Sequence, residues 1–93
     1  MTPLTARFAA KPGIIATDLE TELVLLDPES QEMFRLNQSG RAVWLNLGTR
    51  DVAGLVSALV DTFAVTPEQA ERDVQALINE LVAAGLIVPA PSA

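Results

Sequence analysis

The apolar and polar residues in the first half of the chain follow the short periods of β-strands. Residues 13–19 carry β-branched residues with an alternating character, and residues 31–36 alternate between two faces. Residues 23–26 are apolar on both faces, which indicates a strand with a neighbour on each side and cover above and below. Residues 27–30 have the chemistry of a tight turn. We therefore predict an antiparallel meander of three strands, with the third strand at an edge.

The period changes to that of a helix behind Asn37. This residue is a good N-cap, the apolar residues Val43, Trp44 and Leu47 recur at helical spacing, and Gly48 is suited to end the helix. The pattern predicts a first helix directly after the third strand.

Two further helices are predicted in the second half. Apolar residues in 52–63 form a stripe with helical spacing, and either Thr49 or Asp51 can cap this helix. The third helix begins at Pro67, because the segment 66–69 offers a capping threonine, a proline in the first turn and a glutamine that can complete a capping box. Gly85 indicates its end. The predicted class is α+β, with three strands followed by three helices.

The two ends of the chain carry no useful periodicity. We expect residues 1–12 to be a flexible N-terminal arm, with Leu4 or Phe8 docking on the body, and residues 89–93 to be a disordered tail. The folded domain is then expected at residues 13–88.

Composition limits the function classes. The 93 residues are 49% apolar and carry a net charge of −6, which repels nucleic acid unless basic residues cluster, and the six basic residues are scattered. No apolar run approaches the roughly 18 residues that span a bilayer, and the N-terminus lacks the apolar core of a signal peptide. We expect a soluble cytoplasmic protein that binds neither nucleic acid nor membrane.

The chemistry available to the side chains argues against catalysis. The chain contains no histidine and no cysteine, so it lacks the usual nucleophiles, bases and transition-metal ligands, and we predict no catalytic residues, no metal site and no cofactor. Asp73 and Glu80 share one face of the third helix beside Leu77. They indicate either a binding surface or an ordinary solvated flank.

An ordered set of short motifs resembles a known family. These motifs are Phe34-x-Leu36-Asn37, then Gly40 and Trp44 in the first helix, then Val65-x-Pro67-x-x-Ala70 and Asp73-Val74. Over residues 13–88 the chain resembles the PqqD-like family of peptide-recognition domains, also called RiPP recognition elements, and especially the stand-alone leader-binding proteins of lasso-peptide biosynthesis. The departure from the pattern is Met33-Phe34, where a tyrosine is common.

The resemblance implies a winged helix-turn-helix-like fold that binds the leader segment of a precursor peptide between the third strand and the third helix. The expected role is a non-catalytic adaptor that delivers the leader to a modifying enzyme such as a leader peptidase. A free strand edge can bind a peptide by strand addition. The predicted peptide-binding residues are Glu32, Met33, Phe34, Arg35, Leu36, Asp73, Leu77 and Glu80.

Four alternatives stay open. Met33 and Phe34 can serve ordinary packing, and the opposite flank of the third helix, with Glu71, Ile78 and Val82, can face the peptide instead. A winged-helix DNA binder is disfavoured, because its recognition helix would be acidic. A generic protein-interaction module is the remaining function class. The sequence names neither the precursor nor the enzyme nor the oligomeric state.

Overall fold

The computed structural model describes residues 2–90 and contains two small antiparallel sheets and three helices. The elements in chain order are β1 (Arg7–Ala10), β2 (Ile15–Asp18), β3 (Leu23–Asp27), β4 (Glu32–Leu36), α1 (Gln38–Asn46), α2 (Val52–Thr62), α3 (Pro67–Ala83) and β5 (Ile87–Ala90). The first sheet has the order β2-β3-β4 and the second pairs β1 with β5. The predicted α+β class and the three-stranded meander followed by three helices are confirmed. The second sheet was not predicted.

The central strand β3 supplies the most deeply buried side chains of the three-stranded sheet. Leu23 and Leu25 are fully buried on one face, and Leu25 lies between Ala16 of β2 and Phe34 of β4. The other face of the sheet is not covered by a helix, so the prediction of cover on both faces of β3 is wrong. One uncovered face is common for antiparallel sheets. The buried core residues are Phe8, Leu23, Leu25, Leu36, Val43, Leu47, Val52, Leu55, Leu59, Ala70, Val74, Ile78, Leu81, Leu86 and Ile87.

The starts of α2 and α3 follow from side chains that bind free backbone amides. Of the two caps proposed for α2, the structure uses Asp51, and α3 begins at Pro67 as predicted, with Thr66 as its cap. The Thr66 hydroxyl accepts from the amide of Gln69 at 3.1 Å. The Gln69 side chain donates to Asp73 at 2.8 Å. The capping box is therefore formed in one direction only.

The end of α3 has the hydrogen bonds of a Schellman motif, which confirms the stop predicted from Gly85. Gly85 has φ of +73°, and its amide donates to the carbonyl of Val82 at 3.0 Å. The amide of Leu86 donates to the carbonyl of Leu81, also at 3.0 Å. This left-handed glycine turns the chain into β5 and buries Leu86.

The predictions for the chain ends are partly wrong. Residues 7–10 of the predicted flexible arm form β1, and Pro89 and Ala90 of the predicted tail belong to β5, which pairs with it in the register Arg7 to Ala90. The docking of Phe8 is confirmed, since its side chain is buried. The predicted disorder of residues 91–93 lies outside the described residues. A ladder between segments about 80 residues apart leaves no local periodicity to recognise.

The segment before β1 also contacts the body. The first two amides of α2 donate to the carbonyl oxygens of Ala6 and Leu4, each at 2.9 Å. The amide of Thr2 donates to the Gln75 side chain at 2.9 Å, and that side chain donates back to the Thr2 carbonyl at 2.7 Å. The N-terminal segment therefore satisfies helix amides that would otherwise lack a protein partner.

Candidate functional site

Strand β4 lies at an edge of its sheet, and the hydrogen-bond pattern shows which backbone groups point outward. The amide of Leu19 donates to the carbonyl of Glu22 at 2.9 Å, so Glu22 and alternate residues after it face β2. The intervening residues of β3 face β4, where their partners include Phe34. By alternation, the amides and carbonyls of Met33 and Arg35 point away from the sheet. Within residues 2–90 this edge pairs with no other strand.

The turn that leads into β4 is fixed by a buried carboxylate. Asp27 is 5% exposed, accepts from the amide of Glu29 at 3.0 Å and lies 3.3 Å from the Lys11 ammonium. Burial raises the pKa of Asp27, but the Glu29 amide and Lys11 together bring this pKa below its usual value. The confirmed Asp27 turn therefore holds an ionised group that anchors the start of β4.

A groove of about 410 Å³ lies between the end of β4, the start of α1 and one flank of α3. Its lining residues are Arg35, Leu36, Asn37, Ser39, Gly40, Val43, Leu59, Asp73, Ala76, Leu77 and Glu80. Five of the eight predicted site residues are thus brought together here, from two segments more than thirty residues apart.

The other three predicted residues lie along β4 and outside the groove lining. Glu32 and Met33 are exposed, and Met33 is 65% exposed on the sheet face that no helix covers. Phe34 is half-buried and packs against the core. Direct contact between any of the eight residues and a peptide stays a prediction.

The flank of α3 in the groove is the one that carries Asp73, Leu77 and Glu80. Of the alternative flank, Ile78 is buried in the core, and Val82 does not line the groove. Leu77 is half-buried between two exposed carboxylates. The rim of the groove on this side is therefore acidic, around an apolar residue.

The groove floor contains residues that the sequence prediction missed. Gly40 is buried, and a Cβ atom at this position would lie 2.9 Å from the Cβ of Leu36, so α1 approaches the end of β4 closely enough to require glycine. Asn37 fixes this junction, since its side chain accepts from the Gly40 amide at 2.9 Å. The spacing Leu36-Asn37-x-x-Gly40 is the sequence signal that could have identified Asn37 and Gly40 as groove residues. Val43 and Leu59 have no comparable signal in the sequence, because their place in the groove floor depends on tertiary packing.

Arg35 is the basic residue of the groove lining. Its Nε donates to Glu22 Oε1 at 3.0 Å, and its Nη2 contacts the same oxygen. Since Glu22 carries the opposite charge, the pair offers little net positive charge to a ligand.

The opposite edge strand, β2, is bound to α1 by an ion pair. Both carboxylate oxygens of Asp18 accept from Arg41, at 2.6 and 2.7 Å. The Arg41 side chain, followed by the amide of Glu20, lowers the pKa of Asp18 to about 2. No residue of β2 lines the groove.

Residues 2–90 lack two other features that would indicate a function, a metal-binding cluster and a membrane-spanning helix. That part of the chain has no group of three or more acidic residues, histidines or cysteines placed to hold a metal ion. None of its helices is long and apolar enough to cross a membrane.

Comparison with solved structures gives two close likenesses of fold. One is "TbiB1 in Complex with the TbiA(beta) Leader Peptide", with a TM-score of 0.78 and 21% identity, covering 85% of this chain and 93% of that chain. The other is "Lasso peptide synthetase B1 complexed with the leader peptide", with a TM-score of 0.74 and 28% identity, covering 90% and 100%.

A search of curated proteins gives no match. The family model for Coenzyme PQQ synthesis protein D (PqqD) matches residues 22–87, which include β3, β4, all three helices and every residue that lines the groove. The match extends over well more than half of the sequence, and the protein belongs to the PqqD family.

Proposed function

We propose that this protein is a non-catalytic adaptor that binds the leader segment of a ribosomally made precursor peptide, of the lasso type, and presents it to a modifying enzyme. The observation that carries the proposal is the free edge of β4 beside a groove lined by α3. Backbone groups at such an edge bind an extended peptide as a further strand.

The comparisons support the same function. The two similar structures are complexes with leader peptides, and one of them is a lasso peptide synthetase subunit with 28% identity to this chain. The shared fold supports a leader-binding role for this protein. A leader peptidase is the modifying enzyme that we propose as partner.

In this proposal the backbone and the side chains have separate roles. The outward amides and carbonyls of Met33 and Arg35 supply hydrogen bonds that do not depend on the peptide sequence. Peptide side chains that face α3 enter the groove, where Leu36 and Leu77 offer apolar contact. The carboxylates on the rim favour basic residues in the leader.

The charge distribution opposes the alternative of a DNA-binding winged helix. Duplex DNA is bound mainly through cations placed against phosphates, and α3 carries four acidic residues against Arg72 alone. With a net charge of −6, the protein should not retard duplex DNA at micromolar concentration.

The test is hydrogen exchange with and without a leader. The probes are fluorescein-labelled synthetic leaders of short precursors encoded next to the gene, with the TbiA(beta) leader as a reference. We expect binding by fluorescence anisotropy, and slower exchange of the Met33 and Arg35 amides in the complex. The amides of β3 are already paired and should change little.

Two results would refute the proposal. The first is the absence of binding to every leader at high micromolar protein. The second is tight binding with protection confined to α2 and an unchanged β4. A companion mass measurement should show no change in a full-length precursor incubated with the protein alone, because an adaptor performs no chemistry without its enzyme.

A further inference from the structure

The uncovered face of the three-stranded sheet carries an apolar row that crosses all three strands. Ile15 pairs with Leu26, and Leu26 pairs with Met33, so the three side chains lie side by side on this face. Ile15 is 50% exposed, Leu26 is half-buried and Met33 is 65% exposed. The row ends at the edge of β4 with the most exposed of its members.

The end of this row places an apolar side chain at the sheet edge, although β4 also carries the charged residues Glu32 and Arg35. Soluble proteins commonly place a charge at an exposed edge to prevent further pairing. Here Met33 presents an apolar side chain on the sheet face, while its amide and carbonyl point outward from the same residue. An added strand would place a side chain directly beside Met33, on the same face, at a Cβ distance of roughly 5 Å.

We infer that Met33, backed by Leu26 and Ile15, selects an apolar side chain at one position of the bound peptide, on the face away from the groove. This inference rests on the proposed function and deepens it. The peptide would be read on both faces, by the α3 groove through one set of alternate residues and by the apolar row through the other.

The peptide is the occupant that fits this surface. The row is continuous with the edge to which the peptide is added, and a fourth strand extends it by one side chain. A second copy of the chain is the weaker explanation, because three side chains fall well short of the roughly 800 Å² per partner that a stable interface needs.

The experiment first determines the register. The chain has no cysteine, so Met33→Cys introduces a single thiol. A cysteine is moved along the tightest-binding labelled leader of the exchange experiment, and disulfide formation with Met33→Cys identifies the peptide residue beside position 33. Thr17→Cys, on the same face of the opposite edge strand, is the matched control. It should form a disulfide with no leader position in preference to the others.

The selected peptide position is then tested by a double-mutant cycle. Replacing its apolar residue by serine should weaken binding roughly two- to fivefold in wild-type protein and have less effect in Met33→Ala. Replacing it by glutamate should weaken binding to wild type more strongly, and Met33→Lys should restore part of that loss. Ile15→Lys, two strands away, should restore none.

The outcomes separate this inference from the proposed function. A leader that protects β4 from exchange, but shows equal losses in wild type and Met33→Ala, overturns the selection by Met33 and leaves strand addition standing. A polar residue at the trapped position in the native leader also overturns it. A leader that leaves β4 unprotected overturns the proposed function itself.

Discussion

The strands β2 and β4 flank the same central strand, yet only β4 borders a groove. On the core side of the sheet, β2 contributes Ala16 and Asp18, and all four of its residues are exposed. On the same side β4 contributes Phe34 and Leu36, which pack against the core beside α1 and α3. The difference suits the proposed function, in which a peptide adds to the edge that a helix surface faces.

The two edges also differ in how they meet α1. On the β4 side the contact is steric, because Gly40 lets the helix approach Leu36. On the β2 side the contact is the ion pair between Asp18 and Arg41. The following substitutions test whether the difference between the edges depends on backbone access, on the groove or on these two junctions.

Proline at the outward amide of each edge should give the largest difference. Met33→Pro removes an outward amide from β4 and leaves a peptide carbonyl without its partner, so we expect a loss in leader affinity of about 10- to 150-fold, or roughly 1.4 to 3 kcal/mol. By the same alternation Ala16 has an outward amide on β2, and Ala16→Pro should leave affinity nearly unchanged. Anisotropy titrations measure both, with unfolding curves to confirm that the variants fold. Equal losses would remove the distinction between the edges.

Truncation of the groove side chain should have a similar or smaller effect. Leu77→Ala removes an apolar contact between the two carboxylates of the rim, and a well-buried anchor of this kind contributes about 1 to 3 kcal/mol to binding, or roughly 5- to 150-fold in Kd. Val82→Ala on the other flank of α3 is the control and should change Kd less than about twofold. A loss with Val82→Ala alone would assign the peptide to that flank.

The junction at Gly40 should affect stability directly. Gly40→Ala forces a Cβ against Leu36, and overpacking of this kind should lower the free energy of unfolding by about 1 to 3 kcal/mol. Gly48→Ala is the matched control, since a Cβ there meets no atom within 4 Å. Urea unfolding compares the two. If Gly40→Ala leaves the free energy of unfolding unchanged, the contact between α1 and Leu36 does not require glycine.

Neutralising the acidic rim should produce smaller, salt-dependent losses. Asp73→Asn and Glu80→Gln should each weaken binding of a basic leader by about 1 kcal/mol or less, or up to roughly fivefold, because both carboxylates are exposed. Asp61→Asn, on α2 and outside the groove lining, should have no comparable effect. The losses should shrink between 50 and 500 mM salt, because the Debye screening length falls from about 14 Å to about 4 Å over this range. A salt-independent loss would indicate packing instead of charge.

The ion pair on the β2 side should appear in the pH dependence of stability. The pKa of Asp18 is about 2 in the folded protein and near 3.9 in an unfolded chain. A lowered pKa stabilises the fold above about pH 4, and this contribution is lost as the pH falls toward 2. Asp18→Asn should therefore be less stable than wild type at pH 7, with a difference that narrows between pH 4 and 2. Urea midpoints at pH 7, 4, 3 and 2 test this, and Asp61→Asn controls for net charge. A difference that stays constant with pH would refute the assignment.

Most elements were predictable because their signals are local. Thr66 and Pro67 define the start of α3 through one hydrogen bond and one fixed dihedral angle, and Gly85 defines its end through a positive φ. The central position of β3 followed from apolar residues on both faces. Each of these features depends on fewer than ten consecutive residues.

The missed features depend on residues distant in the sequence. Strands β1 and β5 pair across almost the whole chain, and Pro89 made a strand less expected. In the groove, helical periodicity was enough to place Asp73, Leu77 and Glu80 on one face. The floor could not be predicted from periodicity, because it forms only where β4, α1 and α3 meet.

The register between β1 and β5 has a mechanical consequence. Arg7 at the start of β1 lies opposite Ala90 at the end of β5. Once the hydrogen bonds of residues 2–6 to α2 and α3 have opened, a force that pulls the two chain ends apart acts across the first pair of the ladder. Hydrogen bonds loaded in this direction open one pair at a time and do not resist together. A domain held by both ends would therefore unzip β1 from β5 at low force, while β4 and the groove, which lie between these strands in the chain, carry load only afterwards.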